Sequence, residues 1–210
     1  MFLIDFDNIL SYIKFLPGEC FTMEIATKVP QVTFKYRVRT DGHPITYVDT
    51  ANGGANPFEW QDVTTDDIFA GRRVLVFSLP GAYTPTCSTY QVPGFEQQYQ
   101  EICNQGIDEI YVLSVNDTYV MRRWMIDQGI KNLKFIPDGN GEFTEKMGML
   151  VDMSAVCFGK RSRRYAVIVN NGTVEKAFVE PDSTPEDPNP YGASSPESVM
   201  SYLQNYQKLV

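Results

Sequence analysis

One cysteine of this chain lies where its sulfur could act as a nucleophile. Cys87 follows a Thr-Pro-Thr run in the stretch SLPGAYTPTCSTYQVPGF, residues 78–95. Pro85 suits the first turn of a helix, because its missing N–H costs nothing there. Cys87 is therefore predicted among N–H groups that lack intrahelical partners, at the positive end of the helix dipole. A thiolate, the reactive form of cysteine, is stabilised in such a place.

Two other residue types could complete this chemistry. Thr84 stands just before the predicted helix, and its hydroxyl could turn toward the sulfur or toward an oxygen bound beside it. The run GKRSRRYAVIV places Arg161 and Arg164 at the start of a predicted strand, where alternation puts them in different settings. The alternatives are a buried cysteine acting as a small apolar residue and a solvated basic turn.

Composition argues against several other functions. The net charge of −8 argues against nucleic acid or an anionic membrane surface as a partner. Apolar stretches fall short of the ~20 residues that a membrane span needs. The sequence has no C-x-x-C pair and a lone histidine, His43, so we expect neither a zinc site nor another cofactor. The sparse cysteines favour a reducing compartment, the cytoplasm; they are Cys20, Cys87, Cys103 and Cys157.

The hydrophobic pattern predicts the order β-α-β-α-β, then a hairpin and a last helix. Buried strands are predicted from continuous apolar runs, at 72–79, 107–115 and 133–138. Between and around them, helices are predicted at 64–71, 95–103, 116–130 and 195–206, and a Gly- and Asn-rich loop at 49–60. Asn171-Gly172 joins two β-rich runs, which is a strong hairpin signal.

This order favours an α/β protein with a central mixed β-sheet flanked by helices on both faces. A thioredoxin-like fold fits it well, and a flavodoxin-like sheet fits less well because of the late hairpin. Residues 1–22 are predicted to be an N-terminal extension, either an amphipathic helix or upstream sequence before a start at Met23. Residues 23–210 are predicted to form the main domain. Apolar residues at near-helical spacing mark the helix at 116–130: Val120, Trp124 and Ile126. The last helix is predicted to carry four residues inward: Val199, Met200, Leu203 and Tyr206.

The residues around Cys87 resemble a known family. Pro80, Thr84 and Cys87 match the P-x-x-x-T-x-x-C signature of peroxiredoxins, and the longer stretch resembles the type II, or peroxiredoxin 5, group. The likeness continues through SVNDTYVMRRW, PDGNGEFTEKMGMLVD, GKRSRRYAVIVNNG and AFVEPD, so it spans roughly residues 29 to 205. Several motifs in the same order make the resemblance specific.

The resemblance implies a thiol peroxidase that reduces hydrogen peroxide and small organic hydroperoxides. By matched position, Cys87 corresponds to the peroxidatic cysteine and Thr84 to the residue that hydrogen-bonds the thiolate and the peroxide. Pro80 corresponds to the residue that shields the sulfur, and Arg164 to the catalytic arginine. Arg161 matches a position that is often basic but less essential.

The resemblance also bears on which thiol reduces the oxidised Cys87. Some members carry a second, resolving cysteine near the C-terminal loop, where this chain has serines. We therefore expect an external reductant, glutathione with glutaredoxin or thioredoxin, with Cys103 and Cys157 as remote alternatives. A homodimer is implied by the family only. A redox-sensing or chaperone-like binding protein that uses the same cysteine is the alternative function, and a thioredoxin-type disulfide oxidoreductase is disfavoured because C-x-x-C is missing.

Overall fold

The computed structural model describes residues 25–39, 58–184, 186–187 and 189–207. The predictions for residues 1–22, Cys20 and His43, and most of the predicted loop at 49–60, lie outside the described residues. Within them, the strands are β1 (Thr33–Arg39), β2 (Phe58–Thr64), β3 (Arg73–Ser78), β4 (Glu109–Ser114), β5 (Lys134–Pro137), β6 (Leu150–Asp152), β7 (Lys160–Ser162), β8 (Tyr165–Asn170) and β9 (Thr173–Val179). The helices are α1 (Thr65–Phe69), α2 (Val92–Gln97), α3 (Tyr99–Cys103), α4 (Thr118–Asp127), α5 (Glu142–Lys146) and α6 (Pro196–Gln207).

Five strands form the central sheet, in the order β5-β4-β3-β8-β9. The apolar strands β3, β4 and β5 run parallel, while β8 pairs antiparallel with both β3 and β9. Asn171 and Gly172 both take left-handed φ angles, of 47° and 77°, as the tight turn between β8 and β9 requires. The predicted mixed sheet and its hairpin are therefore confirmed, and with them the thioredoxin-like fold.

Alternation along β3 divides the core into two layers, one on each face of the sheet. Leu75 and Phe77 point into the layer that α2, α3, α4 and α6 cover, and this layer contains Cys87. Val74 and Val76 point into the opposite layer, which packs against α1 and α5. Helices therefore cover both faces, as predicted. No helix in the described ranges is long and apolar enough to cross a membrane.

Several local predictions differ from the structure. Of the apolar residues at near-helical spacing in α4, Ile126 is 40% exposed. The buried residues of α4 are Met121, Trp124 and Met125 along with Thr118. Phe58, assigned to the Gly- and Asn-rich loop, instead begins β2, which pairs with all of β1. Val199, Met200 and Leu203 are buried in α6 as predicted. Tyr206 is among the side chains that the structure leaves undescribed.

Candidate active site

Cys87 lies in the first turns of a helix that begins at Pro85, as predicted. The Ser88 N–H donates to the Thr84 carbonyl at 3.0 Å, which closes the first turn. From Cys87 to Gln91 the backbone then winds as a π-helix, and the Val92 N–H bonds the Cys87 carbonyl. Pro93 contributes to this departure because it has no N–H to continue an α-helical ladder. Such π turns are frequent at functional sites.

Arg164 reaches Cys87 from the sheet because of strand alternation. It directly precedes β8, whose Tyr165 packs in the layer opposite Cys87 while Ala166 packs in the same layer. Arg164 therefore shares the face of Ala166. Its Nη1 donates to the Cys87 sulfur at 3.4 Å. The Cys87 side chain is fully buried and Arg164 is 5% exposed, so the contact is shielded from solvent.

Within the described residues, the other hydrogen-bond acceptors of Arg164 are two neutral side-chain amides. Nη1 also donates to Gln91 Oε1 at 2.5 Å, and Nη2 donates to Asn189 Oδ1 at 2.6 Å. A buried cation is costly unless an anion faces it. Among these acceptors only Cys87 can carry a negative charge, as a thiolate. The arrangement therefore places the candidate nucleophile directly against the buried cation.

The third nitrogen of the Arg164 guanidinium, Nε, differs from the two terminal nitrogens. Its Nε–H is buried and has no hydrogen-bond partner within the described ranges. The Tyr191 ring lies 5.7 Å from the guanidinium carbon and covers another side. Burial raises the pKa of Tyr191 to about 12, so this residue stays a neutral phenol beside the cation. A small polar ligand oxygen can satisfy the free N–H.

Thr84 and Pro80 stand in the loop between β3 and the helix. The Thr84 hydroxyl donates to the Gly81 carbonyl at 2.8 Å, so its proton is engaged there and its lone pairs can accept. A hydrogen peroxide or hydroperoxide O–H is a suitable donor to those lone pairs. Thr84 can therefore act as a hydrogen-bond acceptor for such a ligand. Pro80 is half-buried directly after the buried Leu79.

The remaining cations of the basic run serve other contacts. Arg161 donates to the carbonyls of Phe158 and Val115, at 2.9 and 3.0 Å, and so braces two loops. Arg163 forms an ion pair with Asp182 at 2.7 Å. Lys160 is exposed. Of the candidate partners, the structure brings Arg164 to the sulfur.

Two polar residues of the site were missed by sequence reasoning. Gln91 is completely buried, and Asn189 comes from the loop between β9 and α6. The sequence signal for Gln91 was weak, because a helical reading gives no reason for a buried glutamine so close to Cys87. Asn189 offered no signal of its own, since its loop contacts the site only through the tertiary fold.

The other described cysteines are separate from this cluster. Burial raises the pKa of Cys103, which lies in α3, and the nearby carboxylates of Glu109 and Asp108 act in the same direction. Cys157 is exposed and carries a free thiol. The described ranges contain no group of three or more His, Cys, Asp and Glu side chains that could hold a metal ion.

Comparisons with known proteins agree on one family. The Redoxin family pattern matches residues 29–193. A peroxiredoxin of Rhizobium etli is 51% identical over 185 residues, which cover 87% of this chain and 97% of the relative. Among solved structures, the Plasmodium falciparum antioxidant protein, a 1-Cys peroxiredoxin, is 36% identical with a TM-score of 0.73, over 85% of this chain and 98% of its own. Reduced Prx3 of Vibrio vulnificus, solved in complex with H2O2, is 27% identical with a TM-score of 0.70, over 87% of this chain and 97% of its own.

Proposed function

Because this chain belongs to the peroxiredoxins and is a thiol-dependent peroxidase, we propose that Cys87 is its peroxidatic cysteine and Arg164 its catalytic cation. The observation that carries the proposal is the buried contact between Arg164 Nη1 and the Cys87 sulfur, 3.4 Å long. The cation otherwise meets neutral acceptors, from Gln91 and Asn189. The geometry thus supports a thiolate that is held ready in a water-poor site.

The proposed chemistry is a nucleophilic displacement on a peroxide. The Cys87 thiolate attacks one oxygen, so that an S–O bond forms while the O–O bond breaks. The sulfur is oxidised to a sulfenic acid, and the other oxygen leaves as an alkoxide or hydroxide that takes up a proton. Arg164 stabilises the negative charge that passes from sulfur to the leaving oxygen. Its unpartnered Nε–H supplies an additional donor near the reacting atoms.

Thr84 and Pro80 are assigned supporting roles in the same step. The Thr84 hydroxyl is bound to the Gly81 carbonyl and therefore accepts the O–H of the incoming peroxide, which orients it for attack. Pro80 carries no N–H and lends a rigid wall to the loop ahead of the sulfur. We further propose that the substrates are hydrogen peroxide and small hydroperoxides, because the sulfur is fully buried.

The sulfenic acid is reduced in two further steps by thiols from outside the chain. One thiol displaces water and forms a mixed disulfide with Cys87, and a second thiol releases Cys87 and carries the disulfide away. We propose glutathione with glutaredoxin, or thioredoxin, as the source. Supporting this are the free Cys103 and Cys157 and the likeness to a protein described as a 1-Cys peroxiredoxin.

Mass spectrometry tests this one-cysteine cycle. After one equivalent of peroxide and then glutathione, we expect one glutathione on the Cys87 peptide, both in the wild type and in a Cys103→Ala, Cys157→Ser double variant. The two forms should also turn over at equal rates with glutaredoxin present. An intramolecular disulfide in the wild type, lost in the double variant, would contradict the one-cysteine cycle.

We also propose a homodimer in the cytoplasm. Tyr83 and Tyr90 are 51% and 62% exposed on the segment that carries the site, and a second copy could cover them. Sedimentation equilibrium would overturn the dimer if the protein stayed monomeric at its cellular concentration.

The cytoplasmic location is a separate proposal. The free thiols at Cys87, Cys103 and Cys157 are compatible with a reducing compartment. Fractionation of cells producing the tagged protein tests that location.

A further inference from the structure

One side chain of the loop between β9 and α6, Asn189, makes hydrogen bonds to two other segments of the active site. Asn189 accepts a hydrogen bond from Arg164 Nη2, at 2.6 Å, through its Oδ1. Through its Nδ2 it donates to the hydroxyl of Thr86, the residue just before Cys87. One amide therefore joins the catalytic cation from the sheet to the helical turn that carries the sulfur.

The loop around Asn189 is built to hold this amide in place. In the sequence Asn189 lies between two prolines, Pro188 and Pro190. The following proline restricts Asn189 to extended backbone conformations, which lowers the entropy lost on binding. Farther along, the buried Glu180 carboxylate accepts hydrogen bonds from the Gly192 and Ser194 N–H groups, at 2.8 and 2.7 Å. The chain that follows Asn189 is thus constrained.

The two contacts bear on different steps of the reaction. The Arg164 contact holds Nη2 on Asn189 while Nη1 meets the sulfur, and so helps to set where the planar guanidinium points. The Thr86 contact restrains the first turn of the helix. The Cys87 side chain is fully buried, so a thiol as large as glutathione or a protein thiol reaches its sulfenic acid only if this turn opens. A closed turn therefore favours oxidation of Cys87 by the peroxide but slows reduction of the sulfenic acid by a thiol.

We propose that Asn189 is a positioning residue that couples the two half-reactions: it orients Arg164 for peroxide attack and latches the Cys87 turn closed until a thiol arrives. The proposal rests on Cys87 being the peroxidatic cysteine. The proposed role of Asn189 requires no direct contact between Asn189 and the substrate. The latch opens when the Asn189–Thr86 bond breaks, while the bond to Arg164 can persist.

Two rates measured on each variant separate these roles. The first is the second-order rate of oxidation by hydrogen peroxide, followed by Trp124 fluorescence in a Trp60→Phe background, since Trp124 Nε1 donates to Ser88 next to Cys87. The second is the rate at which dimedone, a small carbon nucleophile, captures the sulfenic acid. Asn189→Ala should slow oxidation about tenfold, the value of one charge-assisted hydrogen bond, and should speed capture.

Thr86→Val removes only the latch. It should speed capture as much as Asn189→Ala does while slowing oxidation less, because Arg164 keeps its Asn189 acceptor. Thr86→Ser, which keeps the hydroxyl, should return capture to the wild-type rate. Thr184→Val is the matched control: it deletes the hydroxyl that receives the Asp187 N–H at 3.0 Å in the same loop, away from Arg164, and should change neither rate.

The outcomes are decisive for the proposal. Wild-type values of both rates in Asn189→Ala would overturn it. Unchanged capture in Thr86→Val would overturn the latch even if Asn189→Ala folds poorly. Loss of all peroxide reactivity in a folded Cys87→Ser protein verifies the underlying assignment separately, so failure of the latch and failure of the active-site assignment can be told apart.

Discussion

At the scale of single residues, the site depends on the buried cation of Arg164 and on the hydrogen bonds that its two terminal nitrogens make. Arg164 uses Nη1 for Cys87 and Gln91 and Nη2 for Asn189. Lysine could supply the charge but not this planar fork, because its ammonium is a single point with flexible donors. Charge alone is therefore insufficient to reproduce the site.

Arg164→Lys should consequently lower the rate of peroxide reduction by about 10²- to 10³-fold, the typical cost of removing a donor that stabilises developing charge. Arg163→Lys is the matched control, because Arg163 directly precedes Arg164 and pairs with Asp182. The rate of peroxide reduction by Arg163→Lys should stay close to that of the wild type. Stopped-flow kinetics with hydrogen peroxide measures both. Equal rates in the two variants would remove Arg164 from the mechanism.

At the scale of elements, the β9–α6 loop depends on a carboxylate surrounded by N–H groups. Burial alone raises the pKa of Glu180, but hydrogen bonds from Gly192, Ser194 and Ala193 outweigh it and hold the pKa below its ordinary value of 4.5. The ionised carboxylate therefore stabilises the folded loop. Because the pKa is depressed on folding, this stabilisation is complete above pH 4.5 and is lost as the pH falls through the folded pKa.

Glu180→Gln should therefore be less stable than wild type at neutral pH, by about 1–3 kcal/mol, because a buried hydrogen-bond network loses its charge. The difference should shrink as the pH falls toward about 3. Urea unfolding at both pH values measures it. Glu186→Gln, an exposed change in the same loop, should show no such pH dependence. A Glu180→Gln deficit that stays constant with pH would mean that the carboxylate's charge is irrelevant.

At the scale of the whole molecule, the sheet delivers separate segments to one point. Cys87 follows β3, Arg164 precedes β8, and these neighbouring antiparallel strands place the two side chains together. The third segment, around Asn189, follows β9, which pairs with β8. The edge of three adjacent strands thus assembles the nucleophile, the cation and the residue that orients it.

Much of this arrangement was predictable from the sequence, because its signals are local. Pro85 marks the helix start near Cys87, apolar runs mark β3 and β4, and Asn171-Gly172 marks the hairpin. The π turn was not predictable, since it reflects a compromise between Pro93 and the packing of the helix. The π turn changes which side chains face inward, so an α-helical pattern does not predict that Gln91 is buried. Asn189 acts over a long sequence separation, and no periodic pattern reports such a contact.

The most direct test of the account is peroxide reduction by Cys87→Ser with a saturating thiol reductant. Serine keeps the size and the hydrogen-bonding capacity of the side chain but is not ionised near neutral pH, so the fold should persist while the nucleophile is lost. We expect peroxide consumption at the uncatalysed rate, with circular dichroism and thermal unfolding close to wild type. Wild-type peroxide consumption by a folded Cys87→Ser protein would contradict the account.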